Sequence, residues 1–367
     1  MTMKSLLLVV AIVSGFFVFL ASAEAVDSLA IEAVRGKQVL DDADFKTIDN
    51  FVAKAVGEIL TTQDFSSISN ARAIIIANSV STQPNQTQFA EQFSKSAQKH
   101  ISAALQQAEG MTPAGRSFKM VTNLLMLTDD LADVRLAEVA LKYVDNKNEV
   151  IRYCAVRCVT KSEITEKLNS PKAIDTARQV TRRLDEIIAT SSPDTLGLIA
   201  SFAGSIKIPE GDALLLKVAD RRIASYADWS VERELLDGDI LRILGDKMAS
   251  SNSGKEVVGK RFGQLLSYVF QRYIKGADVL TSVQKEQLVS VLVETEKSCL
   301  SKILGKPRFG IKKAIESGDT NALQQEHNNI LGDGTKAGEL NINYGKDAGG
   351  AIITHPLVLA SPPAESK

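Results

Sequence analysis

Three aspartates between two predicted helices are the residues whose types and spacing come nearest to a reactive site. Asp129 and Asp130 are adjacent, and Asp133 follows three residues later in the segment Asp-Asp-Leu-Ala-Asp. Carboxylate oxygens are ligands that suit Mg²⁺. In a helix, Asp129 and Asp133 would lie on the same face, because residues four apart stack above one another. The cluster is therefore the candidate metal site of this protein.

The spacing of these acids resembles the Asp-Asp-x-x-Asp motif of the all-α prenyl-diphosphate synthases, where it binds Mg²⁺ and so a diphosphate. The resemblance implies an enzyme that acts on a phosphorylated or diphosphate substrate. The second aspartate-rich motif of that family is missing, since Asp237-Gly238-Asp239 lacks its spacing. The alternative is structural, because acids at a helix junction cap the next helix and complement its dipole. We favour the structural interpretation and predict no catalytic residue, no cofactor and no bound metal.

Histidine and cysteine spacing does not indicate a metal site or an activated nucleophile. The three histidines are His100, His327 and His355. They lie far apart in the sequence, so we expect single histidines on the surface. Cys154 and Cys158 lie on the apolar stripe of one predicted helix, which favours a core role over a redox pair. With Cys299 the count is odd, and the sequence leaves the state of all three open.

The first 25 residues have the pattern of a secretory signal peptide. Lys4 precedes an apolar run from Leu6 to Leu20, and small residues then follow at the spacing of a cleavage site, in Ala21-Ser22-Ala23 and Ala23-Glu24-Ala25. A run of about fifteen residues is shorter than the roughly twenty that span a bilayer. The sequence predicts export to a periplasm or to the outside of the cell, with membrane attachment only if this segment stays uncleaved.

The composition argues against nucleic-acid binding. The 367 residues include 43 basic and 44 acidic side chains, for a net charge of −1, whereas nucleic-acid-binding proteins normally carry a basic excess or patch. Aromatic residues are 5% of the chain, and Trp229 is the sole tryptophan. Few rings are therefore present to stack on bases.

Apolar residues recur at spacings of three and four from Asp41 to about Asn328, which predicts an all-α fold. The predicted connections are mostly short and place neighbouring helices antiparallel. The predicted helices are 42–60, 65–80, 86–109, 113–127, 131–144, 149–160, 171–190, 193–206, 210–227, 231–249, 255–276, 282–304 and 307–317. Starts are assigned at Ser170-Pro171 and Ser192-Pro193, and capping boxes at Asn146 with Glu149 and at Thr281 with Gln284.

The segment Leu131 to Val159 is the clearest helical hairpin. A polar turn, Asp-Asn-Lys-Asn, leads into Ile151-Arg152, and then Ala155 and Val159 follow at helical spacing. This order of residues resembles the second half of a HEAT repeat over about thirty residues. The resemblance implies an irregular HEAT-like array of helical hairpins, or α-solenoid, whose extended surface binds proteins or peptides.

The segment from Lys260 to Lys275 contains both basic and aromatic side chains. Such a mixture suits an anionic lipid or polymer. We favour the interpretation that its apolar residues form a core stripe and its charges the solvated edge. The stripe consists of Phe262, Leu265, Leu266, Val269 and Phe270.

The last part of the protein is rich in glycine and ends in a Pro-Pro tail. We expect residues 331–367 to be disordered, with a small hairpin, a strand docked on a partner, or a tail folded back on the last helices as alternatives. The predicted organisation is a signal peptide at 1–25, a helical HEAT-like domain at 26–330 and the tail at 331–367.

The predicted function follows from this organisation and from the HEAT-like resemblance. We expect an exported, non-enzymatic interaction or scaffold protein that binds a protein or peptide partner. The alternative is a Mg²⁺-dependent enzyme that uses Asp129, Asp130 and Asp133.

Overall fold

The computed structural model describes residues 28–84, 86–250 and 254–363. The predicted signal peptide at 1–25 lies outside these residues. The described residues form an all-α fold, which confirms the predicted fold class. The protein divides into two compact units, one ending at Leu124 and the other beginning at Leu125, where the sequence analysis placed one helical domain.

The first unit is built on two long helices that pack together. Its helices are α1 (Ser28–Arg35), α2 (Asp42–Thr61), α3 (Phe65–Ala77) and α4 (Thr87–Glu109), and the division between the units falls inside α5 (Ala114–Leu131). The α2 core residues Ile48, Val52 and Ile59 are buried at spacings of four and seven. Phe89 and Phe93 of α4 are buried with their rings stacked.

Some helices of the second unit contact the next helix along the sequence, and some contact the one after it. The helices of this unit are α6 (Val134–Ala140), α7 (Glu149–Thr160), α8 (Ser162–Leu168), α9 (Ile174–Ile187), α10 (Pro193–Ser205), α11 (Pro209–Ala227), α12 (Leu235–Ser250), α13 (Lys255–Lys275), α14 (Ser282–Thr295), α15 (Ser301–Leu304), α16 (Gly310–Ser317) and α17 (Thr320–Leu331). Within this series α10 packs on α11 and α12, α11 also on α13, and α12 on α13 and α14. α13 packs in addition on α17 and is buried over most of its length.

Capping by a nearby side chain explains several of the helix starts. Thr281 and Gln284 form the predicted capping box of α14. The predicted box at Asn146 is wrong, because Asn148 caps α7 and accepts from the backbone N–H groups of Val150 and Ile151. Ser192 precedes α10, whose first residue is proline, but the serine hydroxyl contacts the Thr195 hydroxyl at 3.1 Å and makes no capping bond to the backbone.

Three helices were not predicted from the sequence. α1 and α8 are only eight and seven residues long, so they show too few turns to display a period. α17 is rich in Gln and Asn, but Asp319 caps it by accepting from the N–H groups of Asn321 and Ala322. The sequence signal that could have revealed α17 is this cap followed by a buried stripe of Leu323, His327 and Ile330.

The hairpin from Leu131 to Val159 is present as α6, a short 3₁₀ segment and α7. Ile151, Ala155 and Val159 of α7 are all buried. Arg152 donates from Nη1 to the backbone oxygen of Asn146 at 3.1 Å, so its guanidinium holds the polar turn of the hairpin. Cys158 is buried, as the core interpretation predicts, whereas Cys154 is half-buried, and both are free thiols.

The described part of the tail packs on the second unit, which differs from the expected disorder. The strands β1 (Gly345–Lys346) and β2 (Ile352–Ile353) pair antiparallel in a small hairpin. Ile342 and Tyr344 are buried above Gly259 and Gly263 of α13, which have no side chains to block them. The tail is therefore ordered because its apolar side chains are buried in the trough that Gly259 and Gly263 leave on α13. Its Gly-rich composition alone did not suggest this burial.

No helix among residues 28–84, 86–250 and 254–363 has the length and apolarity needed to span a bilayer.

Candidate functional site

The three aspartates of the candidate metal site do not share a helix face. α5 ends at Leu131, and Ala132 turns the backbone with a φ of +47°. Asp133 then caps α6, because its Oδ1 accepts from the Arg135 N–H at 2.8 Å. The same-face expectation is therefore wrong, and the capping role is confirmed for Asp133.

Asp129 is held inside the second unit by basic residues. Its Oδ2 lies 3.0 Å from Nε of Arg157, and Lys161 donates to its backbone oxygen at 2.8 Å. Burial raises the pKa of this carboxyl despite the nearby Arg157. Asp130 is exposed. Within the three described ranges, no group of three His, Cys, Asp or Glu side chains is arranged to hold a metal ion.

His327 lies in the core of the second unit and not on the surface, so the surface prediction is wrong for this residue. Its Nε2 is 2.9 Å from the Ser267 hydroxyl, and its Nδ1 is 2.9 Å from Oδ1 of Asn328. Because Oδ1 only accepts, Nδ1 carries the proton and Nε2 accepts from Ser267. Burial lowers the pKa of His327, which favours this neutral form.

The Ser267 hydroxyl connects His327 to a glutamine that faces the tail. Nε2 of Gln271 donates to the Ser267 hydroxyl at 2.8 Å and also to the backbone oxygen of Leu357 at 3.1 Å. Oε1 of Gln271 accepts from the Leu359 N–H at 2.7 Å. The contact with Ser267 thus fixes the orientation of the Gln271 amide. In this orientation Nε2 donates to the Leu357 oxygen and Oε1 accepts from the Leu359 N–H group.

A second glutamine, one heptad earlier on α13, repeats this arrangement. Oε1 of Gln264 accepts from the Leu357 N–H at 2.8 Å, and its Nε2 donates to the Leu357 oxygen at 3.2 Å. Residues seven apart on a helix lie on one face, so the two amides form a row along α13. This row binds the backbone of residues 355–360, which we call the tail segment.

Two further side chains complete the contacts to the backbone of the tail segment. Lys275 donates from Nζ to the Leu359 oxygen, and burial lowers the pKa of this ammonium. Nε1 of Trp229 donates to the Ala360 oxygen at 3.1 Å. Every N–H and C=O group of Leu357 and Leu359 is therefore held by a side chain of α13.

The side chains of the tail segment divide into an inner and an outer set. Pro356 and Leu359 are buried, with Leu359 only 1% exposed. Leu357 and Val358 are 63% and 74% exposed. The groove therefore receives a proline and, three residues later, a leucine, while the two residues between them face solvent.

A cavity of about 240 Å³ adjoins the tail segment on the side of α17. Its polar lining is supplied by Gln271, Lys275, Gln324, His327, Asn328, Asp333 and His355. The space lies between the helix face and the segment, so movement of the segment would open it.

Buried ion pairs support the loop that carries Trp229. Arg222 binds Asp237 in a bidentate contact, with Nε and Nη2 at 2.7 and 2.8 Å from the two carboxylate oxygens. Tyr226 donates its hydroxyl to the same carboxylate at 2.7 Å. Charged hydrogen bonds of this kind are stronger than neutral ones. These bonds hold the end of α11, which precedes the loop, against α12, which follows it.

Arg272 of α13 holds this loop from the other side. Its Nη1 donates to the Trp229 oxygen at 3.3 Å, and its Nη2 lies 3.2 Å from Glu234. The guanidinium also lies over the indole ring of Trp229, 5.4 Å from the ring centroid. Trp229 has a φ of +58°, a conformation unusual for a residue with a side chain, so these contacts hold it in place.

The sequence analysis predicted the core stripe of α13 and missed its binding face. Phe262, Leu265, Leu266, Val269 and Phe270 are all buried, as predicted. Gln264 and Gln271 are also buried, which their residue type does not suggest. The signal available in the sequence was two glutamines seven residues apart beside an apolar stripe.

No family model matches this sequence. No curated protein matches it either. Among solved structures, the protein is similar to "Crystal structure of Uso1-2", with a TM-score of 0.37 and 10% sequence identity. The similarity covers 77% of this protein and 52% of that one, so the present sequence spans about half the length of the protein it matches.

Proposed function

We propose that this protein is an exported, non-enzymatic interaction protein that binds an extended segment of a partner protein along α13. We further propose that its helices form an irregular HEAT-like array of hairpins. The packing of α10 on α11 and α12, and of α12 on α13 and α14, supports such an array, because each of these two helices contacts the next helix and the one after it. The signal-peptide pattern of residues 1–25 supports export.

The observation that carries the binding function is the double amide contact of Gln264 and Gln271 with the protein's own tail segment. Each amide binds a backbone N–H group and a backbone carbonyl oxygen. Backbone hydrogen bonds provide affinity for an extended peptide, and pockets for particular side chains provide specificity. A groove with both features is suited to a peptide ligand.

The test is site-specific photo-crosslinking in the native host. A photo-reactive residue at Gln324, which lines the cavity beside the tail segment and belongs to α17, should crosslink an exported protein, and sequencing of the adduct should place it on one extended stretch of that protein. The crosslink should disappear in the Gln264→Ala, Gln271→Ala double variant. The same photo-reactive residue at Val80, which is exposed and lies in the first unit, is the control.

The result that would overturn the proposal is a crosslink that forms equally from Val80 or survives the double variant. The intact mass of the purified protein tests the export part of the proposal, because cleavage after Ala23 or Ala25 removes the N-terminal segment.

A further inference from the structure

The tail segment is bound in the way a separate ligand would be. Within the part of the protein that the structure describes, residues 355–363 form no hydrogen bond between two backbone groups. The preceding hairpin does form such bonds, for example the 2.8 Å bond from the Tyr344 N–H to the Ile353 oxygen. The segment is held by the side chains of Gln264, Gln271, Lys275 and Trp229 instead. Removing it would therefore break no helix and no strand.

The groove is selective at two positions of the segment. Pro356 and Leu359 are buried, while the backbone between them is held by the two amides. A proline also restricts the residue before it to extended backbone, which lowers the entropy lost on binding. An occupant without a leucine at the second position would leave the space of the buried Leu359 side chain unfilled.

The linker that precedes the segment is short. Ile342 and Tyr344 anchor the tail on α13, and only residues 345–355 separate this anchor from Pro356. This connection contains the β1–β2 hairpin, and so short a tether keeps the tail segment near the site at an effective concentration on the order of 1 mM. The tail segment is therefore a strong intramolecular competitor for its own groove.

We infer that the tail segment is a built-in competitor, and that the partner segment which displaces it has the same chemistry: an extended peptide with a proline followed three residues later by a leucine. This inference rests on the proposed function and specifies its partner class and its regulation. The groove opens when a partner peptide outcompetes the tethered segment.

The test uses the full-length protein and a fluorescein-labelled synthetic peptide with the sequence of residues 354–363, Thr-His-Pro-Leu-Val-Leu-Ala-Ser-Pro-Pro. Fluorescence anisotropy measures its dissociation constant for wild type, Leu359→Asp and Leu357→Asp. Leu359→Asp places a charge in the buried pocket and should release the tail, whereas Leu357→Asp alters an exposed side chain of the same type. The two variants are a matched pair.

We expect Leu359→Asp to bind the peptide about tenfold to a hundredfold more tightly than wild type. This factor is the ratio of a local concentration on the order of 1 mM to a peptide dissociation constant of about 10–100 μM. Leu357→Asp should bind like wild type. Adding Gln271→Ala to the Leu359→Asp variant should abolish binding, while adding Gln106→Ala, at an exposed position of α4, should not.

Three outcomes would overturn the inference. Equal affinity of wild type and Leu359→Asp would mean that the tail does not compete, while the groove still binds peptides as proposed. A wild-type dimer that Leu359→Asp converts to a monomer would mean that the tail is exchanged between two copies. No binding to any variant would overturn the proposed function as well.

Discussion

Leu357 and Leu359 lie two residues apart in one extended segment, yet the first is 63% exposed and the second 1% exposed. Both have their backbone groups bound by glutamine amides of α13. The buried residues of the segment, Pro356 and Leu359, are three positions apart, so its side chains do not follow the two-residue alternation of a β-strand. One side of the segment faces the helix and the other faces solvent. The backbone contacts of the two leucines are therefore alike, and the two positions differ in the burial of the side chain.

Truncating the two leucines should therefore have very different effects. Leu359→Ala should release the tail segment, because it removes a buried side chain whose loss in a protein core costs about 2–5 kcal/mol. Trp229 loses its bond to Ala360 in the released state, so its fluorescence emission should shift to longer wavelength. Leu357→Ala is the control and should leave the emission unchanged; a shift of equal size in both would contradict this account.

Gly263→Ala should displace the start of the tail without weakening the helix. A Cβ at position 263 would lie 2.5 Å from the Tyr344 hydroxyl oxygen and 2.7 Å from Cδ1 of Ile342, which is too close for either contact. Alanine is itself the better helix former by about 1 kcal/mol. Limited proteolysis should thus cut the variant faster near Tyr344. Gly57→Ala, where no atom lies within 4 Å of the new Cβ, should be cut like wild type.

Asp237→Ala should strongly destabilise the second unit. It leaves the buried guanidinium of Arg222 without its carboxylate and removes the acceptor of the Tyr226 hydroxyl. Breaking a buried ion pair from one side costs about 3–5 kcal/mol. Urea unfolding followed by Trp229 emission measures the loss. Asp239→Ala, two residues later on the same helix and exposed, should change the unfolding free energy by less than about 1 kcal/mol.

Mild acid should loosen the tail segment through His327. Burial lowers the pKa of this imidazole below its ordinary value of 6.5, so the unfolded protein binds the proton more readily than the folded one. The stabilising contribution is complete above pH 6.5 and decreases as the pH falls through the lowered folded pKa. Protonation of His327 also places a positive charge near the Lys275 ammonium. Burial disfavours the charged form of both side chains.

A pH series of Trp229 emission between about pH 7.5 and 5 measures this effect. His327→Gln, which cannot titrate, should remove the pH dependence in this range, and His355→Gln should retain it. A wild-type transition that persists unchanged in His327→Gln would assign the effect to another group.

Asp129→Asn tests the metal interpretation of the acidic cluster. Arg157 can still donate to the amide oxygen, and the substitution removes a carboxylate whose pKa is raised by burial. We therefore expect the melting temperature at neutral pH to stay the same or rise. Calorimetric titration with Mg²⁺ should give the same curve for wild type and for Asp129→Ala. Saturable Mg²⁺ binding that is lost in Asp129→Ala would instead favour the enzyme hypothesis.

The helices were predictable because their signals are local. The predicted ranges 42–60, 149–160 and 193–206 match α2, α7 and α10 to within one residue at each end. Their apolar residues recur at helical spacing, and their starts depend on side chains within three residues of the first turn. Where the cap was misplaced, at Asn146 and not Asn148, the helix itself was still predicted correctly.

The candidate site was not predictable, because its contacts join residues that are distant in the sequence. Gln271 and Leu359 are separated by 88 positions and Trp229 and Ala360 by 131. His327 looked like a surface histidine, and only packing against α13 placed it beside Ser267.

The all-α class, most helix positions and the core stripe of α13 could be predicted from the sequence, since each depends on neighbours within one or two helical turns. The binding of a Gly- and Pro-rich tail to that helix became apparent only from the folded protein. Isolated, the tail has too few apolar residues to bury one another. It becomes ordered because α13 provides a trough at Gly259 and Gly263, a pocket for Leu359 and amide partners for a backbone that would otherwise remain bound to water.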